Sequence, residues 1–247
     1  MRRRVIAHRG HKTGAPEQTM AAYRMAVELG AEIIEADVQL SRDGVAVMMH
    51  DRTLERTTSG RGPVSALDWA EIAMLDAGSW FDAKFAGERV PRLDDLFDLA
   101  GEASIGLCLE AKGDTHAGNL AVARRIGMEI ARRGRLEVDL LASFDHEALR
   151  IVAGDIPGLR TAPDRLPERG VSTAEALLAQ ARRTGATVIQ HHFADLRPNV
   201  AAEVQAAGVE IWAWPPVTEE QVAQAIASGA MGIMGDDVRN IATALGR

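Results

Sequence analysis

The sequence predicts an α/β fold of the (β/α)8 TIM-barrel type, on three observations. Short β-branched runs alternate with longer amphipathic stretches along nearly the whole chain, the pattern of parallel strands joined by helices. The 247 residues suit one such domain, since these barrels run to about 250 residues. Polar and ionisable residues recur at the C-terminal ends of the apolar runs, where a barrel of this class carries its functional groups.

The elements follow in order. Val5–His8 reads as the first strand and Pro16–Leu29 as the helix behind it, with Met20, Tyr23, Ala26 and Val27 on one face and Gly30 as its stop. Glu32–Leu40 and Val45–His50 are separated only by Ser41-Arg-Asp-Gly44. A parallel crossover needs about a dozen residues, whereas Asp43-Gly44 suits a tight turn, so these two runs form a hairpin. With the turn centred between Arg42 and Asp43, His50 is expected roughly opposite Glu35. Residues 51–90 break the rhythm with Gly60, Gly62 and Pro63, a short helical stretch Leu67–Leu75 and Gly78-Ser-Trp-Phe81. This is an insertion over one end of the barrel, too short and too rich in turns to bury a core of its own.

Beyond it, strands are predicted at Ile105–Glu110, Val138–Ser143, Leu159–Ala162, Thr187–Gln190, Val209–Trp214 and Gly232–Met234. Helices are predicted at Leu93–Leu99, Asn119–Arg133, Asp145–Val152, Thr173–Arg183, Pro198–Ala207 and Glu219–Ala227. Ser172-x-x-Glu175 and Thr218-x-x-Gln221 read as capping boxes. Setting aside the second hairpin arm leaves eight parallel strands, in one domain spanning residues 1–247.

Composition narrows the partners. Apolar residues make up 47% of the chain but aromatic ones only 4%, so Ala, Val, Leu and Ile do most of the packing. A formal charge of −7 argues against non-specific binding to nucleic acid or to anionic membranes. It does not argue against a phosphate-bearing small molecule, whose pocket can oppose the global sign. The single cysteine, Cys108, excludes an internal disulfide, fits a reducing compartment and lies in the apolar run Ile105–Leu109 as a buried thiol. After Met1-Arg-Arg-Arg4 only Val5–Ala7 is apolar, too short for a signal-peptide core, and no run nears the roughly 18 residues of a membrane span. A cytoplasmic protein without stable membrane association is expected. The sequence sets no oligomeric state.

The residues with chemistry cluster in this frame. The first strand ends in His8-Arg9-Gly10, the hairpin carries Glu35-Ala-Asp37 and His50-Asp51, and a later strand ends in Glu110-Ala-Lys112. Glu35 and Asp37 share one strand face, as do Glu110 and Lys112. Three converging carboxylates repel one another unless a cation sits between them, and an all-oxygen site of this kind suits one divalent cation, Mg²⁺ or Ca²⁺. Pairing of each acid with a nearby Arg or Lys is the plainer alternative for Glu-x-Asp alone. His8 and His50 are the candidates for proton transfer. Arg9 can grip a phosphate oxygen with its planar fork and Lys112 adds a point charge. His191 and His192 follow a strand and are candidates to line the barrel mouth; Trp212 and Trp214 share a strand face and are candidates to wall a substrate, where packing is the competing role.

Taken together, His8-Arg-Gly10, Ala15-Pro-Glu-Gln-Thr19, Glu35-Ala-Asp-Val38, His50-Asp51 and Leu109-Glu-Ala-Lys112 resemble the glycerophosphodiester phosphodiesterase family. Arg56-Thr-Thr-Ser-Gly60, Leu75-Asp-Ala-Gly-Ser-Trp-Phe81 and Val90-Pro-Arg-Leu93 are similar to that family's inserted segment. The likeness is strong from Val5 to Lys112 and thins to Ser143-Phe144 and Trp212. It implies Glu35, Asp37 and Glu110 as metal ligands, His8 and His50 as the acid–base pair, and Arg9 and Lys112 on the phosphate. Phe144, His191 and Trp212 are left as candidates for the substrate pocket. It also implies hydrolysis of a glycerophosphodiester to glycerol 3-phosphate and an alcohol. Gln18 stands where the family usually has Asn. Trp212-Ala-Trp-Pro215 and Gly235-Asp-Asp-Val238 depart from its pattern in the half that shapes the pocket, which leaves the alcohol open. Two other readings compete: a lysophospholipase D-type hydrolase, which would want an interfacial helix, and a barrel without catalysis serving as a binding module.

Overall fold

In a strand buried on both faces, every second side chain points into the barrel, and this parity organises the molecule. The computed structural model describes residues 2–165 and 172–247. Its strands are β1 (Arg4–His8), β2 (Ile33–Leu40), β3 (Ala46–Met48), β4 (Gly106–Ala111), β5 (Leu140–Ser143), β6 (Thr161–Pro163), β7 (Val188–His192), β8 (Glu210–Trp214) and β9 (Gly232–Gly235). They hydrogen-bond in the order β6-β5-β4-β2-β1-β9-β8-β7, all parallel, with β3 antiparallel on β2. The ring comes together between β6 and β7, where Asp164 bridges Gln190 and the Arg165 N–H donates to Gln190 O at 2.8 Å. The result is a nearly closed (β/α)8 barrel.

The helices are α1 (Met20–Glu28), α2 (Trp69–Ile72), α3 (Leu93–Ala103), α4 (His116–Arg132), α5 (His146–Asp155), α6 (Ala174–Thr184), α7 (Pro198–Ala206), α8 (Glu219–Ala227) and α9 (Val238–Ala244). Outward-facing strand residues such as Ile34, Leu107 and Ile211 pack under helix residues such as Tyr23, Phe97 and Ile126 in the main core. Inward-facing Ile6, Ile33, Cys108, Leu140, Val188, Trp212 and Met234 fill the barrel itself. Two positions further along, the same inward faces turn polar: Ile6 gives way to His8, Ile33 to Glu35 and Cys108 to Glu110.

Several boundaries differ from the sequence prediction, each for a physical reason. Helix α1 starts at Met20 and not Pro16, because Thr19 is the N-cap, accepting from the Ala22 N–H, and Gln18 takes a left-handed φ of 59°. Thr218 with Gln221 forms the predicted capping box. Ser172 does not cap: Thr173 does, while Ser172 Oγ lies 2.7 Å from His191 Nε2. The short helix α9, capped by Asp237, was not predicted and is only seven residues long.

The hairpin forms, with Gly44 at φ 80°. Its register is one residue away from a turn centred between Arg42 and Asp43: Val38 pairs Met48 and Leu40 pairs Ala46, and the last hydrogen bond runs from the Met49 N–H to Asp37 O at 3.0 Å. His50 therefore lies beyond the ladder and not opposite Glu35. The insertion also does more than expected. Leu54, Val64, Ile72, Ala77 and Val90 bury a small cluster together with Val47 and Met49 of the hairpin arm. Among the described residues no helix is long and apolar enough to cross a membrane.

Candidate active site

Strand register brings the predicted carboxylates to one level. His8 pairs with Glu35 across β1 and β2, and Asp37 pairs with Glu110 across β2 and β4. Glu35, Asp37 and Glu110 each offer an oxygen within 4.8 Å of the others. The chain then turns sharply after β1. Arg9 takes a left-handed φ of 59°, and its N–H donates to Glu35 O at 3.0 Å and to Glu35 Oε2 at 3.1 Å. That turn aims the guanidinium back over the barrel, where Nε lies 3.0 Å from Asp37 Oδ2 and Nη1 lies 3.2 Å from Glu17 Oε1. Lys112 Nζ lies 2.8 Å from Glu110 Oε1 and 3.2 Å from Asp37 Oδ1.

The electrostatics follow from burial and neighbours. Burial would raise the Asp37 carboxyl, but Lys112 and Arg9 outweigh it and bring its pKa down to about 2. Glu35 is held well above the ordinary carboxylate range by burial and by the charge of Asp37. Glu110 is pushed up to about 7 by burial, against the pull of Lys112. The cluster thus lacks positive charge: two cationic side chains serve three converging acids, and Asp37 Oδ1, though 3.2 Å from Lys112 Nζ, makes no well-aligned hydrogen bond among the described residues. The converging oxygens and this deficit fit a divalent cation.

Each histidine is tethered by Nδ1. His8 Nδ1 lies 2.8 Å from Asp236 Oδ1, which also meets Lys12 Nζ at 3.0 Å. His50 Nδ1 lies 2.7 Å from Asp51 Oδ1. Burial lowers the pKa of both imidazoles, partly offset at His8 by the Asp236 hydrogen bond. A tethered Nδ1 leaves Nε2 for the pocket, and His8 Nε2 is 4.0 Å from Glu35 Oε2.

A cavity of about 210 Å³ joins these groups. It is lined by the charged groups His8, Arg9, Glu35, His50, Glu110 and Lys112 and also by Phe144, Asp164, Gln190, Trp214 and Met234. Of the residues suggested for the substrate pocket, Phe144 lines the cavity, its ring edge-on to Trp214 at 6.0 Å. His191 and Trp212 do not, and strand parity explains both corrections. His191 has the outward parity of β7 and is wholly buried against Ser172. Trp212 points inward but one layer deeper, at 1% exposure in the barrel core, so Trp214 two residues on reaches the cavity in its place.

The sequence reading gave no role at the site to Asp236, Lys12, Asp164, Gln190 or Arg56. Continuing the inward parity of β9 from Met234 would have flagged Asp236, and that of β6 from Ala162 would have flagged Asp164. Gln18 was noted only as a departure, yet its Nε2 donates to Asp37 Oδ2 at 2.7 Å while Tyr23 Oη donates to its Oε1.

Known proteins agree with this architecture. The model of the glycerophosphoryl diester phosphodiesterase family matches residues 8–240. A glycerophosphodiester phosphodiesterase of Caldanaerobacter subterraneus is 34% identical over 239 residues, covering 96% of this chain and 95% of that one. The crystal structure of a glycerophosphodiester phosphodiesterase from Agrobacterium tumefaciens superposes with a TM-score of 0.81 at 30% identity, over 98% of this chain and 100% of that one. A phosphodiesterase from Oleispira antarctica, solved in complex with the product sn-glycerol-3-phosphate, gives 0.88 at 26% identity, over 99% and 97% of the two chains. The chain belongs to the glycerophosphoryl diester phosphodiesterase family and is a phosphoric diester hydrolase.

Proposed function

We propose that the protein hydrolyses glycerophosphodiesters to glycerol 3-phosphate and a free alcohol, with one divalent cation, Mg²⁺ or Ca²⁺, held by Glu35, Asp37 and Glu110. The observation that carries this reading is the convergence of those acids within 4.8 Å beside two imidazoles that share one cavity. The product sn-glycerol-3-phosphate in the Oleispira antarctica structure supports the choice of product. A divalent ion bound there supplies charge that polarises a phosphoryl oxygen and is worth several kcal/mol at the transition state.

The chain's own residues do the rest. Arg9 and Lys112 line the cavity and neutralise the phosphodiester's charge, Arg9 through its fork and Lys112 as a point charge. His8 and His50, each held by its carboxylate, act as acid and base: one takes a proton from the attacking oxygen at Nε2 while the other gives one to the departing alkoxide. Such transfers contribute about 10²–10⁴-fold each. Phe144 and Trp214 offer an apolar wall to the non-phosphate end of the substrate. A cytoplasmic location belongs to the same reading, supported by the lone buried thiol Cys108, which suits a reducing compartment.

The test is turnover of a panel of glycerophospho-alcohols plus one lysolipid, with and without chelator, by wild type, His8→Ala and His50→Ala. Expected are release of glycerol 3-phosphate, loss on chelation, and loss in both variants with unchanged circular dichroism. Near-normal rates in either variant, or indifference to chelator, would refute the reading.

A further inference from the structure

Arg56 lies outside the cavity, in the inserted segment between β3 and α2, and the hydrolysis described above gives it no part. Its guanidinium nevertheless makes four hydrogen bonds to two carboxylates. Nε and Nη2 donate to Asp51 at 2.5 and 3.0 Å, and Nη1 and Nη2 donate to Glu17 at 3.0 and 2.8 Å. Each carboxylate then engages a different residue of the site. Asp51 Oδ1 is 2.7 Å from His50 Nδ1, and Glu17 Oε1 is 3.2 Å from Arg9 Nη1. The result is one connected path, His50–Asp51–Arg56–Glu17–Arg9, which reaches Asp37 through Arg9 Nε at 3.0 Å.

The geometry is selective for arginine. A planar fork can hold two carboxylates at once along fixed directions, whereas a lysine ammonium is a point charge on a flexible stem. The two acids come from separate parts of the chain, Glu17 from the loop before α1 and Asp51 from the end of the hairpin. Without Arg56, Asp51 loses its second anchor and can carry His50 with it, and Glu17, only 9% exposed, keeps a single cation and a freer hold on Arg9.

We infer that Arg56 is a positioning residue, fixing the His50 imidazole and the Arg9 guanidinium relative to each other, so that the insertion contributes to hydrolysis without touching the substrate. This rests on the roles proposed above for His50 and Arg9. It also says where the effect is to be read. The Arg56 side chain is 43% exposed but Glu17 is only 9% exposed, so removing Arg56 lowers the melting temperature as well. The positioning role is therefore read from the separate changes in kcat and KM of the folded enzyme, which a loss of stability alone does not produce.

The test is a set of steady-state kinetics on Arg56→Ala, Arg56→Lys, Asp51→Asn, Glu17→Gln and the two doubles that join Arg56→Ala to each acid variant, with His50→Ala as control. Arg56→Ala should lower kcat on the order of 10²-fold, through His50, and raise KM through Arg9. On the Asp51→Asn background the further loss in kcat should largely vanish, and on the Glu17→Gln background so should the rise in KM. Arg56→Lys keeps the charge and the fold and should recover little kcat, while added guanidinium ion should restore part of it in Arg56→Ala. The inference is overturned if Arg56→Lys or Arg56→Ala works within about twofold of wild type, or if the Arg56→Ala losses add in full on both backgrounds. An active His50→Ala enzyme would instead defeat the functional reading, whereas an inactive one beside a normal Arg56→Ala enzyme defeats this inference alone.

Discussion

The Lys112 ammonium reaches Glu110, two positions back on the same strand face, at 2.8 Å. A cation built into the chain thus lies within the acidic cluster and supplies part of the charge that the cluster lacks. Adding Mg²⁺ or Ca²⁺ should raise the melting temperature, by the equivalent of about 2.7 kcal/mol at a hundredfold excess over Kd. In Lys112→Met the cation-free protein should melt lower and the cation-induced rise should be larger. In Asp37→Asn the rise should be nearly absent. Thermal melts with and without chelator check all three.

Asp236 holds His8 by Nδ1 and is itself held by Lys12. Asp236→Asn keeps the size of the side chain but removes the charge that steadies an imidazolium. It should lower kcat on the order of 10²-fold with little change in KM. Lys12→Met should cost less, since the hydrogen bond to His8 survives. Steady-state kinetics alongside circular dichroism tests both.

Trp212 and Trp214 should behave in opposite ways. Trp212 is buried in the barrel core, so Trp212→Ala should destabilise by about 3–5 kcal/mol. Trp214 faces the cavity, so Trp214→Ala should leave most of the stability and raise KM, unequally for different alcohols. Urea unfolding and a substrate panel separate the two.

The Asp51 carboxyl is held at about 2 by hydrogen bonds from Arg56 and His50, despite opposing burial. In the unfolded chain it titrates near 3.9. Its contribution to stability is therefore complete above roughly pH 4 and is lost as the pH falls towards 2. The difference in melting temperature between wild type and Asp51→Asn should shrink across that window and be steady above pH 5.

Much of this was legible in the sequence because period and parity are local. Ile33, Glu35 and Asp37 alternate with Ile34, Ala36 and Val38, so one inward face could be read directly, as could Glu110 with Lys112. The barrel class followed from strand–helix alternation. What escaped depends on contacts between distant residues or on backbone turns. Nothing local announces that Arg9 and Gln18 adopt left-handed φ, or that the Gln18 N–H then donates to Arg9 O at 3.1 Å. Asp236 meets His8 only because β9 closes on β1. The choice between Trp212 and Trp214 turned on depth along the barrel axis, which a shared face does not reveal, and His191 was misplaced because its parity was not followed. Arg56 was seen as part of a motif, but its partners lie 5 and 39 positions away.

The closure of β9 on β1 has a consequence for how the enzyme is made. A nascent chain exposes all three clustered carboxylates and both imidazoles within its first 112 residues, yet the group that steadies His8 follows 228 positions behind it. Contacts of such long range form late and slowly. Until the closing strand docks, His8 lacks the carboxylate that holds its Nδ1, so closing the barrel and completing the site are one and the same event.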